Sequence, residues 1–302
     1  MVHLACTQPR NFGYLLKFVI EPVIATTDKL HAVMAAPNHW RPSPFVRFSL
    51  LLHIAMAAAV ALAPGFWPWW LAVIIADHLV LTFAGLWPRS KLIGDNMLRL
   101  PAAAIVRNEI AITIDDGPDP LVTPQVLDLL DRYGVSASFF VIGARAARYP
   151  ELASEIVKRG HSVENHSQHH SVLFSLCGPG AFRREIEAAQ ASIQDAAGDD
   201  PVFFRAPAGL RNLFLYPALH RLGLRYVTWT RRGFDTRTDD FRKILSRLTH
   251  NLAPGDILLL HDGHSARTDS DQPVILEVLP SLLEQAMSSG LKPVSMRQAM
   301  QP

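Results

Sequence analysis

Cysteine is almost missing from this chain: Cys6 and Cys177 are the only two in 302 residues. Two distant thiols make no disulfide framework, and no Cys-x-x-Cys pair offers a thiolate metal site. Net charge is equally scarce, since 29 Lys and Arg against 27 Asp and Glu leave +2. So even a balance gives no reason to expect nucleic acid as a partner. The start of the chain also lacks the basic stretch, long apolar run and small-residue cleavage site of a secretory signal, because Pro22, Pro37 and charges break its short apolar pieces. Met34, followed by Arg41 and Arg47 ahead of an apolar run, makes a more ordinary membrane-protein start. Residues 1–33 therefore read as an extended reading of the gene, and residues 1–44 as a poorly ordered or partly helical segment.

Charge then disappears locally. Residues 45–63 carry none after Arg47, and residues 66–87 carry only Asp77 as a formal charge, in a chain that is 49% hydrophobic with a mean hydropathy of +0.14. Each run approaches the roughly 20 apolar residues that span a bilayer. Trp67, Trp69 and Trp70 at one end of the second run, and Trp87 at the other, suit the two interfaces. The Ala63-Pro64-Gly65 break is too short to be more than a tight connection, so residues 45–88 read as a transmembrane helical hairpin. The competing reading is a pair of buried helices in a soluble domain. Asp77 and His78 are costly in lipid; partners on the other helix such as His53, or a shallow position at the headgroups, would each relieve that cost. Arg41 and Arg47 precede the hairpin and Arg89, Lys91 and Arg99 follow it, so the positive-inside rule puts both flanks in the cytoplasm of a bacterial-type inner membrane.

Residues 89–104 read as a linker and 105–302 as the catalytic domain. Within that domain, strand and helix patterns alternate. Strands are expected near 110–114, 137–142, 162–164, 203–204, 226–230, 256–260 and 292–295. Helices are expected near 124–133 (N-capped by Thr123), 152–159, 180–197, 216–222, 241–251 and 273–288. About seven such repeats favour a parallel α/β barrel.

The first strand, Ile110 to Ile114, drives into two adjacent acids, Asp115 and Asp116, and Gly117-Pro118 then forces a turn. Two carboxylates side by side call for a cation nearby, either a metal or an arginine. His166 and His170, in the run NHSQHH, stand four apart, a spacing that brings two imidazoles together on one helical turn. With a carboxylate they would make a mixed N/O divalent-metal site with open positions. Arg205 follows the 203–204 strand directly and can neutralise one acid of the pair. The apolar strand 257–260 delivers His261 to the same end of the sheet, where a histidine can move protons near neutral pH. Asp235 can hold one of its ring nitrogens. His220, His250 and His264 read as structural or surface residues, His161 as a histidine at a helix end, and His169 as pointing away from its neighbours.

The runs TIDDGP, HSQHH, RAPAG and LLLH, in this order and spacing, resemble the NodB-type polysaccharide deacetylases of carbohydrate esterase family 4 over about residues 105 to 295. The resemblance implies a distorted (β/α)7-type barrel and metal-dependent removal of N-acetyl groups from amino sugars. It implies Asp115 as general base, with Asp116, His166 and His170 as ligands of a divalent metal, most often zinc. It further implies Arg205 orienting the base, His261 as general acid and Asp235 tuning it, with Asp239 and Asp240 as alternatives to Asp235. An oxyanion N–H is expected near Ala208. Two departures stand out. Ala208 replaces a frequent aromatic, and Thr236 follows Asp235 where the family has tryptophan, so the walls of the substrate pocket differ. The expected partners are an N-acetylated saccharide, lipid-linked or polymeric, and the membrane. Deformylation of a lipid-linked amino sugar and a catalytically inactive sugar-binding module are the rival readings.

Overall fold

A computed structural model describes residues 40–302. The readings of residues 1–33 and most of 1–44 fall outside the described residues.

Helix α1 (Pro44–Leu62) starts at Ser43, whose hydroxyl accepts from Val46 N–H, and α2 (Trp67–Leu86) follows after a short turn. Both are long and apolar enough to cross a membrane, and only 11% and 17% of their apolar windows are buried. The charge cost inside them is met between the helices: Ser49 Oγ donates to Asp77 Oδ2 at 2.6 Å, and the His53 and His78 rings lie 5.1 Å apart.

Residues 89–104, expected as a linker, pack onto the domain. Ile93 and Leu100 are buried, and Met97 pairs with Val227. After α3 (Ala102–Val106) comes β1 (Glu109–Asp115), all seven residues of which are buried. Such a strand must be central, and it is: β2 (Ser138–Val141), β7 (Ile257–His261) and β8 (Lys292–Val294) all pair with it in parallel. The remaining strands are β3 (Ser162–Asn165), β4 (Phe203–Phe204), β5 (Arg225–Tyr226) and β6 (Arg231–Arg232). The order β5-β4-β3-β2-β1-β7-β6, with β8 beside β1, is a curled parallel sheet of the expected (β/α) type, with its ends at β5 and β6. The single strand expected over 226–230 is in fact β5 and β6, because Thr228 N–H leaves the sheet to bond Met97 O and Thr230 N–H bonds Ile257 O. The Met97 segment thereby covers the β5 edge.

Ile110, Ile112 and Ile114 of β1 belong to the main core, which includes residues of helices Thr123–Tyr133 and Ile275–Ser288. Thr113 and Asp115 alternate with them on the other face. Thr123 does not act as an N-cap. It lies within its helix, accepts from Asp119 N–H and donates to Asp262. A second core joins Val46 and Ala84 of the hairpin to Phe174, Phe204, Tyr216 and Tyr226. Arg211 strengthens that joint. Its N–H bonds Gly85 O at 3.1 Å, and its buried guanidinium donates to the carbonyls of Pro88 and Ser90 at 3.2 and 2.6 Å.

Candidate active site

Parallel strands deliver their C-terminal ends to one rim. Asp115 ends β1, His166 follows β3, Arg205 follows β4 and His261 ends β7. Asp115 and His261 are register partners on neighbouring strands.

Asp116 leaves the strand with φ 76, a left-handed conformation uncommon for a residue with a side chain. Its Oδ1 lies 3.3 Å from His166 Nε2 and 3.2 Å from His170 Nε2. His166 Nδ1 donates to the Arg205 carbonyl at 2.8 Å, which leaves Nε2 with a lone pair toward the carboxylate. Asp116 Oδ1 is buried without a hydrogen-bond partner. One oxygen and two nitrogens thus converge within 4.8 Å of one another, an arrangement that a divalent cation satisfies and that lone pairs alone do not. Burial by itself would push the Asp116 carboxyl up; the imidazoles of His166 and His264 outweigh it and hold Asp116 below the usual carboxylate range. Burial, with His166 beside it, pushes His170 down to about 4, so that it is neutral near pH 7 as a ligand must be.

The two imidazoles do not meet through a helical turn. Residues 166–170 form a loop in which Ser167 and His170 take φ 66 and 50, and the rings stand 5.0 Å apart. His169 does turn outward, to Glu185 at 2.8 Å.

Arg205 is fully buried and runs along the inner face of β1. Nη1 donates to Thr113 Oγ1 at 2.9 Å and to Asp115 Oδ1 at 2.6 Å, and Nη2 donates to Thr228 O at 3.1 Å. Asp115 Oδ2 faces His166 Nε2 at 3.8 Å. Asp235 grips His261 twice, accepting from its backbone N–H at 2.7 Å and from Nδ1 at 2.9 Å. Burial lowers the His261 pKa, but Asp235, with Asp115 and Asp116, together outweigh it, and the net shift is upward. Asp240, one of the alternatives to Asp235, caps helix Phe241–Thr249 through Lys243 N–H instead.

Three groups at the rim were not apparent from sequence. His264, read as a surface residue, puts Nδ1 2.9 Å from Asp116 Oδ2. The signal was Gly263: a Cβ there would sit 2.2 Å from the Asp116 carbonyl, so the HDGH turn must press against the acid pair. Arg145 donates to the same carbonyl at 2.9 Å, with nothing in its local sequence to show it. Burial pushes the Asp262 carboxyl up to about 7.

The polysaccharide deacetylase family model matches residues 105–227. The chain is 34% identical over 178 residues to a peptidoglycan-N-acetylglucosamine deacetylase of Bacillus cereus, covering 58% of this chain and 82% of that protein. It is also 34% identical over 198 residues to a chitooligosaccharide deacetylase of Sinorhizobium fredii, covering 62% and 92%. Among solved structures, a peptidoglycan N-acetylglucosamine deacetylase superposes with a TM-score of 0.61 at 25% identity over 68% of this chain and 92% of that one. The fold is shared too, at a TM-score of 0.61 and 19% identity, with a family 4 pseudoenzyme from Bacillus anthracis, over 68% of this chain and 69% of that one. The chain belongs to the NodB-type polysaccharide deacetylase family, carbohydrate esterase family 4. The family's deacetylases are hydrolases that cleave the amide of N-acetyl groups on sugars, and this chain is an enzyme of that class.

Proposed function

We propose that this protein is a membrane-anchored, divalent-metal-dependent deacetylase that hydrolyses the N-acetyl group of an amino sugar in a polysaccharide or a lipid-linked saccharide. The carrying observation is the convergence of Asp116 Oδ1, His166 Nε2 and His170 Nε2 beside Asp115. These three residues would hold the metal, and their mixed N/O donor set suits zinc. Such an ion, when bound, supplies Lewis-acid polarisation of the acetamide carbonyl and acidifies water.

The chain's own groups do the rest. Arg205 fixes Asp115 through Oδ1 and leaves Oδ2 toward the ligand cluster, where it takes a proton from the attacking water. At the turn bent at φ 53, the Ala208 N–H is the donor left for the developing oxyanion, because Pro207 has none and the N–H groups of Gly209 and Leu210 bond the carbonyls of Ala206 and Pro207. With Nδ1–H held by Asp235, His261 gives its Nε2 proton to the leaving nitrogen. The C–N bond breaks, and a free amino sugar and acetate depart.

Membrane anchoring is supported by the exposed apolar hairpin and by what surrounds its exit. Val172, Leu173 and Leu176 are 91%, 62% and 77% exposed. Asn212 ties their loop to that exit through the carbonyls of Ser175 and Cys177, each at 2.9 Å. The positive-inside balance around the hairpin supports a domain on the cytoplasmic side.

The reading is tested by acetate release from lipid-linked and polymeric N-acetylated sugars, with and without chelator. Chelator-sensitive acetate is expected. Formate from N-formylated analogues, with no acetate from any substrate, would make the protein a deformylase. Absence of both would leave an inactive module.

A further inference from the structure

Between the hairpin exit and the β6 edge lies a cleft of about 710 Å³. Arg89, Arg231, Arg232 and Arg247 line it together with Trp87 and Trp229, and no carboxylate does. Arg231 is spoken for, because its Nε pairs with Asp256 at 3.0 Å. Among the described residues the other three have no ion-pair partner. Arg89 donates to the Thr230 carbonyl at 3.4 Å, and Arg247 donates to that of Gly233 at 3.2 Å and lies 5.2 Å from the Phe234 ring. The Arg232 guanidinium lies 5.1 Å from the Trp229 ring and 4.9 Å from that of Phe234, and its Nε is buried with no hydrogen bond. Arg89 and Arg247 stand at this cleft with no carboxylate among its lining residues, while Arg232 is also attracted by Asp115 and Asp235. Walled by indoles and pointed into one cleft, the three guanidinium groups make a receptor for a multiply charged oxyanion.

The position of the cleft narrows the choice of anion. Trp87 and Arg89 immediately follow the second apolar helix, at the height where a bilayer's phosphates would lie. On the other side, Trp229 lies 5.9 Å from the Arg205 guanidinium, which itself holds Asp115. Gly209, on the turn after Arg205, closes the gap: a Cβ there would meet Trp229 at 2.7 Å and Pro88 at 2.8 Å. One layer of side chains therefore separates the acid pair from an anion receptor at membrane level.

We infer that this cleft holds the phosphate or diphosphate joining an N-acetylated amino sugar to its membrane lipid, so that the substrate is a lipid-phosphate-linked sugar and not a finished polymer. This inference rests on the deacetylase reading above, and the test separates the two. Full-length protein in nanodiscs is given N-acetylglucosamine carried in three ways: on a polyprenyl diphosphate, on a neutral octyl glycoside, and in a chitooligosaccharide. The KM for the diphosphate-linked sugar is expected to be about 10-fold or more below that of the octyl glycoside. The double variant R89Q/R247Q raises the diphosphate KM by roughly 10-fold or more and leaves octyl glycoside turnover, which also reports folding, within about twofold. Inorganic pyrophosphate competes with the diphosphate-linked sugar in the wild type and loses that effect in the variant. The preference persists when phosphatidylglycerol in the nanodisc is replaced by phosphatidylcholine; if it appears only with the anionic lipid, the cleft binds bulk headgroups and the inference is overturned. Equal kcat/KM on all three substrates, unaffected by R89Q/R247Q, overturns it while the deacetylase reading stands. If no acetate is released from any substrate, that reading fails, and tryptophan quenching by the diphosphate-linked sugar still decides the cleft. Saturation that is lost in R89Q/R247Q supports it, and equal saturation in the variant rejects it.

Discussion

Arg205 reaches Asp115 through the interior of the barrel, donating to Oδ1 at 2.6 Å while its guanidinium lies 4.0 Å from the Phe140 ring. Neither partner meets bulk water, and Thr113 and the Thr228 carbonyl accept further bonds from Nη1 and Nη2, while Nε is buried without a partner. This contact fixes which oxygen of Asp115 faces the substrate.

Arg205→Lys keeps the charge and loses the fork. It is expected to lower kcat by roughly 100-fold with little change in KM, since it misplaces the base without touching substrate. Arg205→Met additionally leaves Asp115 buried and unpaired, and is expected to cost about 3–5 kcal/mol in denaturant unfolding. Unchanged kcat in both variants rejects the positioning role.

Metal content is a direct readout of the Asp116, His166 and His170 cluster. Purified protein is expected to carry one divalent ion per chain, and Asp116→Ala or His166→Ala to carry far less. A ligand present at about 100 times its Kd stabilises a fold by about 2.7 kcal/mol. Chelator should therefore lower the wild-type Tm and leave that of Asp116→Ala unmoved. Equal Tm shifts in the two proteins would place the ion elsewhere.

The pH profile reports His261. Burial lowers its pKa, but the attraction of Asp235, helped by Asp115 and Asp116, outweighs burial and raises it above the ordinary 6.5. A proton donor is lost as pH rises, so kcat/KM is expected to fall on the alkaline side, with a midpoint above pH 6.5. Asp235→Asn removes that attraction and moves the alkaline limb toward acid. For stability the sign is the same: the ion pair contributes in full below the unfolded pKa and is lost as pH climbs through the folded one. An alkaline limb unmoved by Asp235→Asn would assign it to another group.

His161 works in the opposite direction. Burial pushes it down to about 4; its Nδ1 accepts from Ala137 N–H at 3.2 Å, while Nε2 is buried without a partner. Between pH 6.5 and 4 the unfolded chain binds a proton that the native state refuses, so stability drops as pH falls through that window. The loss attributable to His161 at pH 4.5 is about 2 kcal/mol. His161→Gln should flatten this part of the curve, and denaturant melts at pH 7 and 4.5 on both proteins would show whether it does.

Topology is open to a reporter fused after Pro302. Activity is expected from a reporter that works only in the cytoplasm. Activity only from a periplasm-requiring reporter would invert the hairpin and make peptidoglycan or an exported polysaccharide the better substrate.

Much of this molecule could be read along the chain. The apolar runs fixed the two hairpin helices to within a residue or two, because length and missing charge are local properties. Ile110 to Asp115 announced a strand ending in acids, since the alternation and the Gly117-Pro118 stop are local as well. The spacing of His166 and His170 anticipated that the two imidazoles meet, but by way of the wrong conformation; the loop that joins them depends on left-handed residues that no periodicity reveals. The expected 226–230 strand divided because its edge is covered by Met97, more than a hundred residues earlier in the chain.

By itself the sequence determined which residue types stood at strand ends and where lipid-compatible helices lay, because each is decided by neighbours in the chain. Only the tertiary structure decided what faced what. It set His264 against Asp116, joined Arg211 to the hairpin exit, and gathered arginines from residues 89, 232 and 247 around one cleft. Those juxtapositions come from the curl of a parallel sheet, which brings distant strand ends to one rim and leaves no trace of their distances in the order of residues.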